Sequence, residues 1–326
     1  MKLPRRKFLH LAASAVVLPA LSHVASAQAY PTRPVRIIVP FAAGGTSDVI
    51  ARLVAQKLTE NLGKQFYVEN QVGAGGNLGM GNAGRAVPDG YTILFATSSY
   101  VVNPSLYPKV PYDPDKDFVP LTVMADAPNI LLVHPSVPAR TVRELVDLIK
   151  ANPSKYSFAH TGIGTTPHLS GEMFKRSAAL DLAAVPFSGG APATQSTVAG
   201  HTPILFNSLA LTVPLVKDGK LRALAVAAKA RAAVLPDVPT MDEAGLKDQE
   251  ANTFQAMLVP AATPKEIQDL LHREIVKALK LPDVKARLEG LGLDVVANSQ
   301  EEFGVQIKEE IVKWRKVIRA ANIKAE

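Results

Sequence analysis

Val39-Pro40-Phe41-Ala42-Ala43-Gly44-Gly45 returns later in the chain as Val185-Pro186-Phe187-Ser188-Gly189-Gly190. Each copy ends an apolar run of strand length and precedes a helical pattern. After the first, Thr46 or Ser47 is placed to cap and Asp48 favours a helix start; after the second, Pro192 suits a first helical position. A glycine-rich turn feeding a helix N-terminus presents unpaired backbone N–H groups and the positive end of a dipole, and together these bind anions. One such loop is ordinary in any α/β chain. Two matching copies predict two lobes with an anion-seeking helix end on either side of a cleft.

Outward from these loops, strand-length apolar runs alternate with amphipathic helical patterns, the signature of α/β architecture. Val35–Val39 reads as a buried first strand, and a helix from Asp48 to Leu62 carries Val49, Ile50, Leu53, Val54 and Leu58 at helical spacing. Phe66–Glu69 and Thr92–Ala96 are the next strands, and the Pro-, Asp- and Tyr-rich stretch from Tyr107 to Phe118 is a surface connection. Two apolar runs between Val119 and Val133 lead to a second lobe, opened by a helix to about Lys150 with Thr141 as N-cap and Glu144 completing a capping box. Tyr156–Ala159, Ile204–Phe206 and Leu221–Ala227 are strand candidates, and the loop from Leu235 to Thr240 leads to a short helix. Ala256–Val259 is the return strand, Pro264 takes the first position of a helix, and two or three helices finish the chain with Trp314 packing one of them down. The chain thus leaves its first lobe and comes back: domain 1 is expected from residues 30–130 plus 251–326, domain 2 from 131–250.

Residues 1–29 stand outside this pattern. Lys2, Arg5, Arg6 and Lys7, with no acid, precede an apolar stretch from Phe8 to about Leu21, and small residues follow. This is a secretory signal peptide, cleaved between Ala27 and Ala29. Arg5-Arg6-Lys7-Phe8-Leu9 resembles a twin-arginine signal, with an ordinary Sec signal as the alternative. The apolar run is shorter than the roughly 20 residues that span a bilayer. Four of the formal +7 charges leave with the signal and no negative ones, so +3 stays on the mature chain. No long basic run with interleaved aromatics remains for nucleic acid, and Lys313-Trp314-Arg315-Lys316 reads as a solvated helix face. The absence of cysteine removes disulfides, thiolate metal sites and a thiol nucleophile. The 297 residues left are enough for two cores in a soluble, exported protein.

Gly79-Met80-Gly81-Asn82-Ala83-Gly84 spells G-x-G-x-x-G but does not follow the first strand, so it is no dinucleotide fingerprint. Close backbone approach, to a ligand or to the neighbouring lobe, accounts better for it and for the preceding Gly73-Ala74-Gly75-Gly76. Thr97-Ser98-Ser99 and Thr161-Gly162-Ile163-Gly164-Thr165-Thr166 put hydroxyls and free N–H groups at strand ends, which suits carboxylate recognition, and the Asn207 amide is placed to orient a ligand. Asp48 competes with an anion at its helix start; its expected role is structural, helped by Arg52, with a ligand-amine contact as the alternative. His168 and Glu172 have the spacing of a metal pair but no third ligand nearby, and a structural or cleft-lining His is the better reading. There is no G-x-S-x-G, H-E-x-x-H or P-loop to carry catalysis.

Over its whole mature length the chain resembles the periplasmic receptors of tripartite tricarboxylate transporters, the Bug-like solute-binding proteins. The resemblance rests on Tyr30-Pro31-Thr32-Arg33-Pro34, on the first glycine loop through Asp48, on Val68-Glu69-Asn70 with Gly73-Ala74-Gly75-Gly76-Asn77, and on Pro88-Asp89-Gly90-Tyr91-Thr92. Asn103-Pro104-Ser105-Leu106-Tyr107, His168-Leu169-Ser170-Gly171-Glu172, Gly189-Gly190-Ala191-Pro192-Ala193, Gly219-Lys220-Leu221-Arg222-Ala223 and Leu235-Pro236-Asp237-Val238-Pro239-Thr240 continue it. It implies a two-lobed type II periplasmic-binding-protein fold with hinge strands, and capture of a small carboxylate, such as a dicarboxylate or an aromatic acid. It also implies delivery to a two-subunit membrane permease by a periplasmic monomer with no cofactor and no metal. Carried over residue by residue, the implied ligand contacts are Ala43, Gly44, Thr46, Gly76, Asn77, Ser98, Ser99, Thr165, Thr166, Ser188, Gly190, Ala191 and Asn207. Asn207 stands where the family often has Asp, and Phe254-Gln255 where Trp-Phe or similar is frequent. The alternatives are a partner of a membrane sensor and, further off, an exported enzyme.

Overall fold

A short apolar run buried on both faces belongs in a parallel sheet. Val35, Ile37, Ile38 and Val39 of β1 (Val35–Val39) are wholly buried. The strand pairs in parallel with β2 (Phe66–Asn70) on one side and β3 (Thr92–Thr97) on the other. Helices α1 (Thr46–Leu62), α2 (Asn77–Gly84) and α3 (Ser99–Leu106) follow these strands in turn. The computed structural model describes residues 30–210 and 212–323, so the expected signal peptide lies outside the described residues. Arg33–Glu326 forms one compact unit, and the fold is that of this unit.

One strand then links two halves. Where the sequence suggests two apolar runs, β4 (Phe118–Val133) is continuous over 16 residues. Beyond it come α4 (Val142–Ala151), β5 (Ser157–His160), α5 (Thr166–Ser177), β6 (Ala183–Pro186), α6 (Gly190–Val198), β7 (Ile204–Ser208), α7 (Val213–Lys217) and β8 (Arg222–Val226). The chain returns through β9 (Asn252–Pro260) and closes with α8 (Lys265–Leu279), α9 (Pro282–Gly290), β10 (Asp294–Val295) and α10 (Gln300–Ala321). The strands run β2-β1-β3-β9-β4-β7-β5-β6, with β8 and β10 also on β4. From Phe118 to Pro128, β4 pairs antiparallel with β9; from Asn129 to Val133 it pairs with β7, and from Ile130 also with β8. This exchange of partners within one strand produces the two lobes.

The exchange point is tied by polar groups. Asn129 N–H donates to Ala251 O at 3.0 Å, and Asn129 O accepts from Ala227 N–H at 2.8 Å. The Asn129 side chain is fully buried; its Nδ2 donates to Ser170 Oγ at 3.0 Å and its Oδ1 accepts from Thr253 Oγ1 at 2.9 Å. Thr253 Oγ1 is also hydrogen-bonded to Thr166 Oγ1. One amide therefore joins β4, the return strand β9 and helix α5.

Several expectations shift by a residue or a turn. Gly45 is the N-cap of α1 and gives it no side-chain bond, so Thr46 is the first helical residue rather than the cap. Pro264, with ψ of 138°, precedes α8 rather than opening it, and Pro192 lies in the third position of α6. Thr141 caps α4 by accepting from Glu144 N–H, but the Glu144 carboxylate takes Arg140 N–H instead of completing a capping box. After Thr240 the chain makes turns rather than a short helix. Thr240 and Glu243 cap each other reciprocally, and Gly245, at φ 91°, ends the segment after one turn. The G-x-G-x-x-G run forms α2, packed in its own lobe against Pro111 and Phe118.

Two histidines hold the loop between β5 and α5. His160 Nδ1 accepts from Gly162 N–H and His168 Nδ1 from Gly164 N–H, both at 3.3 Å, and the rings contact each other with centroids 4.6 Å apart and planes tilted by 34°. Both rings are buried and act as acceptors at Nδ1, which requires the neutral form with its proton on Nε2. Burial pushes the His160 pKa down to about 4, and burial, with the His160 and Lys175 charges adding to it, pushes His168 to about 3.

Two outcomes follow for stability. Asn129→Ala leaves the Ser170 and Thr253 hydroxyls short of a partner, and urea unfolding should show a loss of about 1–3 kcal/mol. For the histidines, the unfolded chain binds protons below the ordinary pKa near 6.5 while the folded chain does not until about pH 4 and 3. Their contribution is therefore intact above pH 6.5 and is lost as the pH falls toward 3, on the order of a few kcal/mol in all. Melting temperatures measured from pH 7.5 to 4.5 should fall, and His168→Gln should flatten the slope; equal slopes would remove the pair from the account.

Candidate functional site

The two glycine loops meet between the lobes. Ala42 N–H donates to Ser188 O at 3.1 Å. A Cβ placed on Gly45 would lie 3.6 Å from Gly190 N and 3.8 Å from Ala191 N, so α1 and α6 approach N-terminus to N-terminus. Gly189, the N-cap of α6, makes no side-chain cap bond, as with Gly45 in α1. The third helix start is that of α5, where Thr165 Oγ1 accepts from His168 N–H.

A cavity of about 40 Å³ lies where these helix starts converge. Gly45, Thr46 and Ser47 line it from α1, Thr165, Thr166 and Pro167 from α5, Gly190 from α6, and Asn207 and Ser208 from β7. Phe41, Thr97, Thr161, Thr253 and Gln255 complete the wall, and no residue in it is ionisable. The space holds a carboxylate group or roughly three waters. A second, largely apolar cavity of about 270 Å³ adjoins it at Phe41 and Thr161, between residues 72–76 with Tyr107 on one side and Ile163, Phe187 and Ser188 on the other. At its edge the lobes touch again: Tyr107 OH donates to Ile163 O at 3.3 Å, and a Cβ on Gly75 would fall 2.0 Å from that carbonyl oxygen. Only glycine fits there.

Of the residues expected from the sequence, Thr46, Thr165, Thr166, Gly190 and Asn207 line the small cavity, and Gly76 and Ser188 the larger one. Ala43, Gly44 and Ala191 lie in the two glycine loops, where a Cβ on Gly44 would be 3.7 Å from Ala191 Cβ. Asn77, Ser98 and Ser99 line neither cavity. Asn77 Oδ1 accepts from Asn103 Nδ2 at 2.8 Å, Ser98 Oγ accepts from Phe254 N–H at 3.0 Å, and Ser99 Oγ pairs with Thr97 Oγ1 at 3.0 Å. These three brace the loops from behind. Asn207 Nδ2 donates to Thr194 Oγ1 and to Gly190 O, holding the first turn of α6 to β7.

Ser47, Ser208, Thr253 and Gln255 also line the small cavity and are not among the contacts that the resemblance implies. Ser47 Oγ donates to Gln255 Oε1 at 3.0 Å, a pair 208 residues apart with no local signature. Asp48 lines neither cavity. Burial alone would raise its pKa, but hydrogen bonds from Arg52, Gly44 N–H and Asn70 Nδ2 hold its carboxyl below the usual range. Its charge is neutralised in place by Arg52, whose Nη2 lies 2.9 Å from Oδ1. Glu172 pairs with Lys175 at 3.0 Å rather than with His168.

The sequence pattern of the tripartite tricarboxylate transporter family receptor matches residues 50–323. BugT of Bordetella pertussis is 33% identical over 301 residues, 92% of either chain. MatC from Rhodopseudomonas palustris with bound malate superposes with a TM-score of 0.86 at 33% identity, covering 89% of this chain and 100% of that one. R. palustris Rpa4515 with adipate gives a TM-score of 0.87 at 32% identity, with 90% and 99% covered. With its two-lobed periplasmic-binding fold and glycine loops facing across a cleft, the chain belongs to the tripartite tricarboxylate transporter receptors, the Bug-type solute-binding proteins.

Proposed function

We propose that this protein captures a small carboxylate, a dicarboxylate or an aromatic acid, between its lobes in the periplasm and delivers it unchanged to a two-subunit membrane permease. The observation that carries this reading is the small cavity: three helix N-termini face it, hydroxyls line it, and no ionisable side chain does. Such a site selects a compact anion by backbone N–H groups and dipoles. The adjoining apolar cavity suits the carbon body of the acid. Malate and adipate in related structures support the ligand class. The lobes divide in this reading at 130/131 and 250/251, beside the strand exchange at Asn129 and Ala251, and the receptor works as a monomer released from its signal peptide.

A thermal-shift panel of refolded mature protein tests this, with malate, adipate, succinate, citrate and benzoate, and phosphate as the non-carboxylate anion. An acid at 100 times its dissociation constant adds about 2.7 kcal/mol to the native state, a rise on the order of 5 °C for a chain of this size. Gly190→Leu should abolish that rise and leave the unliganded melting temperature within a few degrees, because a Cβ there meets the Asn207 amide at 3.2 Å beside the cavity. A shift from phosphate and from none of the acids would overturn the carboxylate assignment.

A further inference from the structure

We propose that Ser208 is a ligand-binding residue whose hydroxyl donates to the captured carboxylate. This rests on the reading of the cavity as a carboxylate site. Ser208 is 4% exposed, lines the cavity and has no hydrogen-bond partner at Oγ. Apart from Thr46, the other hydroxyls of the lining are engaged. Ser47 is bonded to Gln255, Thr161 to Thr165, Thr97 to Ser99, and Thr166 to Thr253. Its neighbour Asn207 gives Nδ2 to Thr194 and Gly190 and takes the Ser208 N–H on Oδ1 at 2.8 Å. Among the polar side-chain atoms of the cavity's lining, Ser208 Oγ is therefore the one that is fully buried without a partner. A buried hydroxyl without a partner is costly, and an anion brought there by three helix N-termini supplies the acceptor it lacks.

Ser208 is also placed to convey occupancy to the hinge. It pairs in register with Asn129, the residue at which β4 exchanges partners, and the next residue, Leu209, donates its N–H to Pro128 O at 2.9 Å. A ligand held by Ser208 Oγ bears directly on the strand pair around which the lobes join.

The assignment makes two effects of one substitution part company. In Ser208→Ala the unliganded protein loses a buried, unpaired hydroxyl, so its melting temperature should hold or rise, while affinity for the acids that bind should fall about tenfold or more. Ser105→Ala is the control: its Oγ is likewise buried and unpaired but lines neither cavity, and its affinities should stay within about twofold of wild type. Calorimetric titration of the wild type and both variants with each acid of the panel decides the matter. If Ser208→Ala binds as tightly as wild type, Ser208 is no ligand contact and the carboxylate reading stands without it. A loss of affinity accompanied by a lower unliganded melting temperature would mark a structural role and overturn the assignment. If the wild type binds none of the acids, the carboxylate reading falls and the role of Ser208 falls with it.

Discussion

Two helix N-termini facing each other across a few ångströms repel. Each carries about half a positive charge, and at a separation near 4 Å with an effective dielectric near 20 the cost is about 1 kcal/mol. In this protein α1 and α6 meet in that way, with Gly190 N only 3.6 Å from where a side chain on Gly45 would begin. A carboxylate between them reverses the sign, each end then contributing up to about 2 kcal/mol in a partly buried setting. Much of the structure serves this approach. The caps are glycines that leave the first N–H groups uncovered, the loops are glycine-rich where the lobes touch, and Asn207 pins the first turn of α6 from below.

Asp48 is the apparent contradiction, since a carboxylate in the first turn of α1 would spoil an anion site. The structure resolves it by turning that carboxylate away. Arg52 lies one turn further along the same helix and Asn70 at the end of β2, and both reach Asp48, while Gly44 N–H ties it to the loop. The ion pair thus shapes the glycine loop without competing for the cavity. Arg52 is half exposed, so the Coulomb part is weakened by solvent, and the hydrogen bonds to a buried acceptor do most of the positioning.

What the sequence made legible was local. The first strand reads from five consecutive residues, the glycine loops from seven and six, and the Thr141 cap from a Thr three residues before a Glu. These features form by interactions within a turn or two, so their residues lie together on the chain. Ser47 with Gln255, and Asn129 with Ser170 and Thr253, are set by which strands become neighbours, and nothing near either partner announces the other. The errors at helix starts have a similar origin. Thr46 has the chemistry of a cap, but Gly45 already occupies the cap position with extended backbone, φ −78° and ψ 170°. Thr240 and Glu243 have the spacing of a helix start and make its bonds, yet Gly245 stops the helix before it propagates.

A site built from helix ends rather than lysines or arginines has a consequence for how it works. A guanidinium binds a carboxylate even when partly solvated, whereas half-charges on backbone groups are screened by water and fall off within the first turn. Their full effect needs water kept out, and the lobes meet beside the cavity at the Ala42–Ser188 and Tyr107–Ile163 hydrogen bonds. On the proposed reading, recognition and closure are one event: the lobes come together to make the anion site, and the anion removes the repulsion that opposes their coming together. That coupling gives a reason for Thr166 and Thr253 to belong both to the cavity and to the strand exchange at Asn129.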